Sequence, residues 1–443
     1  MINAISRALP RRLFCSSSFS DHVTTRGEPE APTHLTKQTI AALQKNWIWV
    51  EGWDEGATAN DSAARVVSFS REFTIPHDAA GNTTIYITAD TRYKLWLNGD
   101  RVAVGPSRSV PSIWYYDAID LAPFLVAGEN RLQVDVIRYF PSARAGLPFV
   151  RSSRPGLTIV GKVGPVDLDT GADGWEASVK DGISFPTGLE DDVFLHVSFI
   201  IASLANRQIS ERVSSAPHRP APIIHRLVII RNGELGPVRL RPRAIPLPEQ
   251  YPLRPFIVRY STPSQSVDPS PVFSERKPVV CPDGKIRIDI QATCHSTAYL
   301  RWTFRSSSPS RLRLKATYSE GYEREPRTYP WLRVKDDRLD SSGLLLGPSD
   351  EVDLQLGADE TACYEPFWFR TFLLIRLDIE VEGGPIEFVS LDGWQTNYPL
   401  GVKAEWYDND DPQGNEMFDV SVRTMRNCMV DAYSDCPFYE QLQ

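Results

Sequence analysis

Ile375, Leu377, Ile379 and Val381 alternate without a break with Arg376, Asp378, Glu380 and Glu382. Successive side chains of a strand point to opposite faces, so this stretch has one face for a core and one for water. The same period recurs along the chain. Ile286, Ile288 and Ile290 alternate with Arg287 and Asp289, and Leu312, Leu314 and Ala316 with Arg311, Arg313 and Lys315. Leu132, Val134 and Val136 alternate with Gln133 and Asp135, and Thr83 to Ala89 alternates around Ile85 and Ile87. Tyr93-Lys-Leu-Trp-Leu97 runs into Asn98-Gly99, the strongest short hairpin signal here, and Arg101-Val-Ala-Val104 reads as the returning strand. From Trp47 to Asp392 the expected fold class is therefore mainly β, built as two antiparallel sandwiches.

The joint between them is expected at Pro242, Pro246, Pro248, Pro252 and Pro255, because proline fixes φ and removes a donor and so favours an extended connector. A second soft stretch runs from Thr262 to Pro271. The resulting division is a leader without order at residues 1–40, one sandwich at 41–245, a second at 246–395, and a different domain at 396–443. In that last segment the period changes. Phe418, Val422, Met425, Met429 and Ala432 step by four, three, four and three, which is one face of a helix at about 412–432. Asp411 is placed to cap it, and Pro412 suits its first turn. The acidic run Asp408-Asn-Asp-Asp411 reads as capping rather than calcium binding, since Pro412 falls where a calcium loop needs a ligand. The sequence as given offers this stripe no partner helices, so the segment reads as the start of a domain most of which is absent. With nine acidic and three basic residues it is also expected to be the least firmly held part of the chain.

Composition narrows the function. A formal charge of -8 argues against nucleic acid or an anionic membrane surface as the main partner. Six cysteines without paired spacing and seven scattered histidines give no metal or redox motif, and no cofactor is implied. No apolar stretch reaches the length of a membrane span. Arg7, Arg11 and Arg12 with a run of serines resemble a transit peptide or a disordered start; without a secretory apolar region, location leans toward the cytoplasm. Trp47, Trp49, Trp53, Trp96 and Trp114 read as sandwich core, with stacking on sugar rings as the alternative.

The motif Tyr433-Ser-Asp-Cys-Pro-Phe-Tyr-Glu440-Gln-Leu442 sets two carboxylates, Asp435 and Glu440, five positions apart around Pro437 and beside Tyr439. A carboxyl pair next to an aromatic suits sugar chemistry, where one acid must be kept protonated for a leaving oxygen. The bland alternative is a solvated loop after a helix. Asp435-Cys-Pro-Phe-Tyr-Glu440-Gln-Leu resembles the signature that opens the catalytic domain of α-L-rhamnosidases, glycoside hydrolase family 78. Tyr364-Glu-Pro-Phe-Trp-Phe-Arg-Thr-Phe372 followed by Ile375-Arg-Leu is similar to the strand of the sandwich before that domain. Tyr318-Ser-Glu-Gly-Tyr322, and Tyr86-Ile-Thr-Ala-Asp90 with Leu97-Asn-Gly99, are similar to its upstream β-domains.

The resemblance implies a galactose-binding-like jelly roll, a concanavalin-like sandwich, then the (α/α)6 barrel of six-hairpin glycosidases, with a rhamnose-containing glycoside as partner. By resemblance Glu440 is the general acid of an inverting reaction, and Asp435 holds the sugar's hydroxyls. The family's general base comes from far later in the barrel, so the chain as given is expected to be inactive alone. Two alternatives stay open: a non-catalytic carbohydrate-binding sandwich protein, and a six-hairpin glycosidase for another sugar.

Overall fold

The computed structural model describes residues 35–51, 65–76, 81–109, 113–139, 155–185, 210–216, 218–226, 240–253, 256–262, 268–324, 337–434 and 436–438. They are mainly β, in several largely antiparallel sheets, with one long helix late in the chain.

The first sandwich has two layers. One sheet runs Ile223–Arg226, Trp47–Val50, Gly156–Val163, Thr84–Asp90, Trp114–Asp120 and Leu240–Pro242. The other runs Arg219–Pro220, Glu176–Val179, Arg65–Ile75, Gly128–Arg138, Arg92–Leu97 and Asp100–Gly105. Their inward residues, among them Ile48, Trp49, Phe69, Ile85, Leu95, Val134 and Ile159, make one core. Trp49 lies in this core as expected; Trp47 is buried outside it, Trp114 is buried in a separate cluster with Leu43 and Tyr116, Trp96 is half-buried, and Trp53 lies outside the described residues. The expected hairpin forms at Asn98-Gly99. Both residues are left-handed, at φ 54 and 87, as a two-residue turn between twisted strands requires.

The second sandwich is a single 11-stranded sheet bent around its own core. Its axis is the 23-residue strand Gly284–Ser306, paired with Arg370–Glu382 and with Ile386–Asn397. The pairing register with Arg370–Glu382 shifts between Gln291 and Ser296. Ile288, Leu300, Trp302, Leu312, Phe372 and Leu377 fill the space inside the bend. Asp350 is buried with them, and Asp289 is buried on the opposite face of the sheet, beside Tyr322. Asp350 accepts from Arg370 Nη2 at 2.7 Å, Arg370 Nε at 2.9 Å, Tyr318 Oη at 2.8 Å and the Glu211 amide at 2.9 Å. Asp289 accepts from Arg376 Nε and Nη2 and from Tyr322 Oη. Such pairs survive burial because each carboxylate accepts from a guanidinium through both oxygens and from at least one neutral donor beside it.

The structure departs from the sequence reading in several places. A helix, Lys37–Lys45, begins inside the stretch read as a leader: Thr36 Oγ1 caps it by accepting from the Thr39 amide, and Leu43 is buried beside Trp114 and Tyr116. Ile183–Ser184 and Arg212–Ser214, read as part of the first sandwich, pair into the second sheet instead, the latter parallel to Ser349–Leu356. The proline-rich stretch is tied at both ends, Leu240–Pro242 to Trp114–Tyr116 and Glu249–Pro252 to Trp394–Asn397. A short helix, Ser270–Ser274, seats Val272 and Phe273 in the second core. The late helix spans Pro412–Asn427, with Asp411 accepting from the Gly414 amide at 3.0 Å as expected of its cap. No described helix is long and apolar enough to cross a membrane.

Asp350→Asn takes a charge from Arg370 while leaving that guanidinium buried. We expect it to cost the second sandwich about 3–5 kcal/mol. Arg287→Ala breaks a half-exposed pair with Asp378 and should cost at most about 1 kcal/mol. Urea unfolding followed by tryptophan fluorescence checks the contrast; equal losses would show that Asp350 is not the anchor described.

Candidate functional site

Asp435, Tyr439 and Glu440 lie outside the described residues, so the site is read from what frames them. The frame begins where the late helix ends. Asn427 is buried; its Nδ2 donates to the His295 carbonyl at 2.8 Å, and its Oδ1 accepts from Gln395 Nε2 at 3.1 Å. Asn397 Nδ2 donates to the Arg426 carbonyl at 2.8 Å, and the Tyr398 amide donates to the Met429 carbonyl. The last turn of the helix is thus stitched to the end of the Ile386–Asn397 strand. The Ser434 amide then returns to the Cys428 carbonyl at 2.9 Å, closing a compact turn.

Asp431 projects from that turn into the first sandwich. Its Oδ2 accepts from Arg92 Nη1 at 2.5 Å and from the Arg108 amide at 3.0 Å, and Arg108 Nε stands 3.1 Å from Oδ1. Burial alone would raise this carboxyl's pKa; the two guanidinium groups outweigh it and hold the pKa down at about 2. Arg92 in turn lies over the Trp368 ring, 4.9 Å from its centre. Val430 packs among Tyr139, Phe185, Tyr299, Phe367, Trp368 and Phe369. Beyond Asp435, the Pro437 carbonyl accepts from Thr371 Oγ1 at 2.8 Å, and Phe438 is buried against Gly347. A Cβ at Gly347 would run into the Tyr318 carbonyl and press on the Phe438 ring, so this approach needs glycine.

These contacts correct the expectation that all of 396–443 is weakly held. Met417, Val420 and Met425 on the helix are exposed, and Phe418 and Val422 are half-buried. Residues 401–407 are exposed and without regular structure. Met429 and Phe438, by contrast, are buried, and Asn427, Asp431 and Pro437 are held by residues of the two sandwiches. The sequence hinted at Asp431 only as an acid set among Met429, Val430 and Ala432.

A second polar group adjoins this frame. His295 sits at the register shift of the long strand, with Nε2 3.8 Å from Glu320 Oε1. Glu320 also stands 3.7 Å from Arg338 Nη2, and Arg338 Nη1 donates to Glu323 Oε1 at 3.1 Å. Burial, then the nearby charges of Arg423 and Arg338, pull the His295 pKa down to about 4, so its imidazole is neutral at pH 7. In the Tyr318–Tyr322 motif, both tyrosines are core pins bonded to Asp350 and Asp289, which leaves Glu320 as the group that faces this cluster. Reading His295 as one of several scattered histidines missed it, because its partners are remote in sequence.

Comparison with known proteins places the fold. No protein-family model matches the chain, and no curated protein sequence matches it. Among solved structures, the chain is similar to a GH78 family rhamnosidase of Bacillus sp. GL1 at a TM-score of 0.57 and 14% identity, over 89% of this chain and 59% of that one. It is similar to the α-L-rhamnosidase of Dictyoglumus thermophilum at a TM-score of 0.51 and 12% identity, over 90% of this chain and 40% of that one. The α-L-rhamnosidase of Aspergillus terreus matches at a TM-score of 0.51 and 16% identity, over 89% and 41%. The fold is thus like that of the matching part of these three structures, of whose length the chain spans between 40% and 59%.

Two outcomes follow. Asp431→Asn leaves Arg92 and Arg108 buried beside a neutral amide, so the 428–434 turn should lose about 3–5 kcal/mol of docking. In hydrogen exchange its amides should then exchange as fast as residues 401–407, while the Ile375–Val381 stretch keeps its protection. Unchanged protection in the turn would contradict the clamp. For His295 the folded pKa lies below the unfolded value of about 6.5, so the unfolded state binds the extra proton between that value and about 4. His295 therefore costs no stability above pH 6.5 and progressively more as pH falls toward 4. His295→Gln should flatten that part of the melting-temperature profile, and an identical profile would refute the assignment.

Proposed function

We propose that these residues form the sandwich portion and the start of the helical portion of an α-L-rhamnosidase-like glycoside hydrolase. It would remove terminal α-L-rhamnose from glycosides by inversion. The observation that carries the reading is the fold likeness over about nine-tenths of the chain, taken with the signature at Asp435–Leu442. The anchoring of Asp431, Pro437 and Phe438 supports it, since a reacting carboxyl must be held by a rigid surround.

In this reading the chain divides near 245 and 395 into a galactose-binding-like sandwich, a concanavalin-like sandwich and the start of the catalytic domain, with Ile183–Ser184 and Arg212–Ser214 contributed to the second sandwich from the first stretch. Glu440 protonates the glycosidic oxygen as the bond to the anomeric carbon breaks. Asp435 accepts hydrogen bonds from the sugar's hydroxyls. A second carboxylate, about 6.5–9.5 Å from the first, takes a proton from the water that attacks the opposite face. We assign that base to sequence beyond the 443 residues, in keeping with the length of chain they span relative to the similar structures.

The test is hydrolysis of α-L-rhamnosides. The 443-residue chain alone should give no turnover of an aryl α-L-rhamnoside. In a longer, active form, Glu440→Gln should remove most activity on poor leaving groups, which need the proton, and less on activated aryl leaving groups. Turnover by the 443 residues that Glu440→Gln abolishes would overturn the assignment of the base. An active form indifferent to Glu440→Gln would overturn the assignment of the acid.

A further inference from the structure

The second sandwich carries a hollow of about 800 Å3 on the water-facing side of its sheet. It lies far from the segment just described. Along Arg370–Glu382, Thr371 touches Pro437 and Asp378 lines the hollow, seven residues or about 23 Å apart at the rise of a strand.

Strand register fixes what lines it. One row across five adjacent strands reads Arg212, Glu351, Lys315, Asp378 and Arg287. The next row on the same face reads Asp353, Arg313, Glu380 and Lys285. Each strand therefore presents one sign of charge, and each neighbour the other. The pairs are made, Arg287 Nε to Asp378 Oδ1 at 2.6 Å and Arg313 Nη1 to Glu380 Oε2 at 3.1 Å, yet all of these side chains stay at least partly exposed. They line the hollow while staying open to water, so their polar heads can be reached by a ligand.

This pattern selects among ligands. A polyanion lying along a cationic strand would have an acidic strand about 4.8 Å away on either side. Lying across the strands, it would meet alternating signs, and a polycation fares no better. An apolar ligand would strip water from charged groups without replacing it. A neutral chain of hydroxyls meets none of these objections, because a hydroxyl both donates and accepts. Two adjacent hydroxyls can donate to one carboxylate or accept from one guanidinium fork. The ion pairs hold the polar heads in place beforehand, which lowers the entropic cost of binding. No aromatic side chain is among the described residues lining the hollow, so binding here rests on hydrogen bonds rather than stacking.

We infer that the hollow is an accessory groove for a neutral oligosaccharide, holding a part of a glycan remote from the bond to be cut. The sugar class rests on the hydrolase reading above; the groove's residues are separate from Asp435 and Glu440.

Calorimetric titration of the 443-residue chain with cellohexaose, xylohexaose and mannohexaose tests it, with a heparin hexasaccharide as the polyanion probe. At least one neutral hexasaccharide should bind. Arg313→Gln and Asp378→Asn should each weaken it about tenfold, the loss of a charged hydrogen bond. Arg305→Gln, whose ion pair with Glu387 lies outside the hollow, should leave it unchanged, and heparin should not compete. The groove is refuted if no neutral hexasaccharide binds, if both groove variants bind as the parent does, or if heparin displaces the ligand. Failure of the hydrolase reading shows instead as activity indifferent to Glu440→Gln, which leaves hexasaccharide binding untouched.

Discussion

Much of the arrangement depends on one buried carboxylate, Glu365. Its Oε1 accepts from Lys94 Nζ at 2.7 Å and from Arg101 Nη1 at 2.6 Å, both on the first sandwich, and Arg301 Nε stands 3.3 Å from Oε2. Burial works against the anion, but Lys94 and Arg101 prevail and hold its pKa down at about 2. Three cations around one anion leave positive charge in excess, and aromatic rings take it up. Lys94 and Arg101 lie 4.6 and 4.4 Å from the centre of the Tyr299 ring, while Arg301 is set 5.2 Å from both Trp96 and Trp394. A cation over a desolvated ring is worth about 2 kcal/mol or more. The joint between the sandwiches is therefore specific in position, because displacing either side strands a buried charge.

Glu365 belongs to the segment Tyr364–Phe372, whose polar residues each reach a different part of the molecule. Tyr364 Oη and the Phe367 amide donate to Glu211, whose pKa burial pushes up to about 7. Arg370 holds Asp350 in the second core, Trp368 lies under Arg92, and Thr371 meets the Pro437 carbonyl. One stretch of chain thus joins the first sandwich, the core of the second and the segment that leads to the candidate acid. That segment is held by the same residues that hold the sandwiches together.

What the sequence made legible was local. Period-two alternation marked the strands at Ile286–Ile290, Leu312–Ala316 and Ile375–Val381, since each buries one face whatever its neighbours are. Asn98-Gly99 and Asp411-Pro412 were legible because turn and cap chemistry act within four residues. The joint was not legible: Lys94 and Glu365 are 271 positions apart, and Arg92 and Asp431 are 339. Nor does any local rule send Arg212–Ser214 to the second sheet or bury Asn427 under His295. At the candidate site the carboxylates stood out by motif, while the clamp at Asp431 and the His295–Glu320 pair emerged only in three dimensions.

The second sandwich uses charge in two ways that physical chemistry keeps apart. Asp350 with Arg370 and Asp289 with Arg376 are sealed or nearly so; salt cannot reach them well, and losing one partner strands the other. The strands over the hollow hold pairs that are half in water, each contributing at most about 1 kcal/mol. Such pairs add little stability, and simpler residues would serve a merely wetted surface as well. Their regular alternation over five strands makes sense if the surface must stay rigid, nearly neutral overall and rich in donors and acceptors at once. Those are the properties that a hydroxylated ligand can use and a charged polymer cannot.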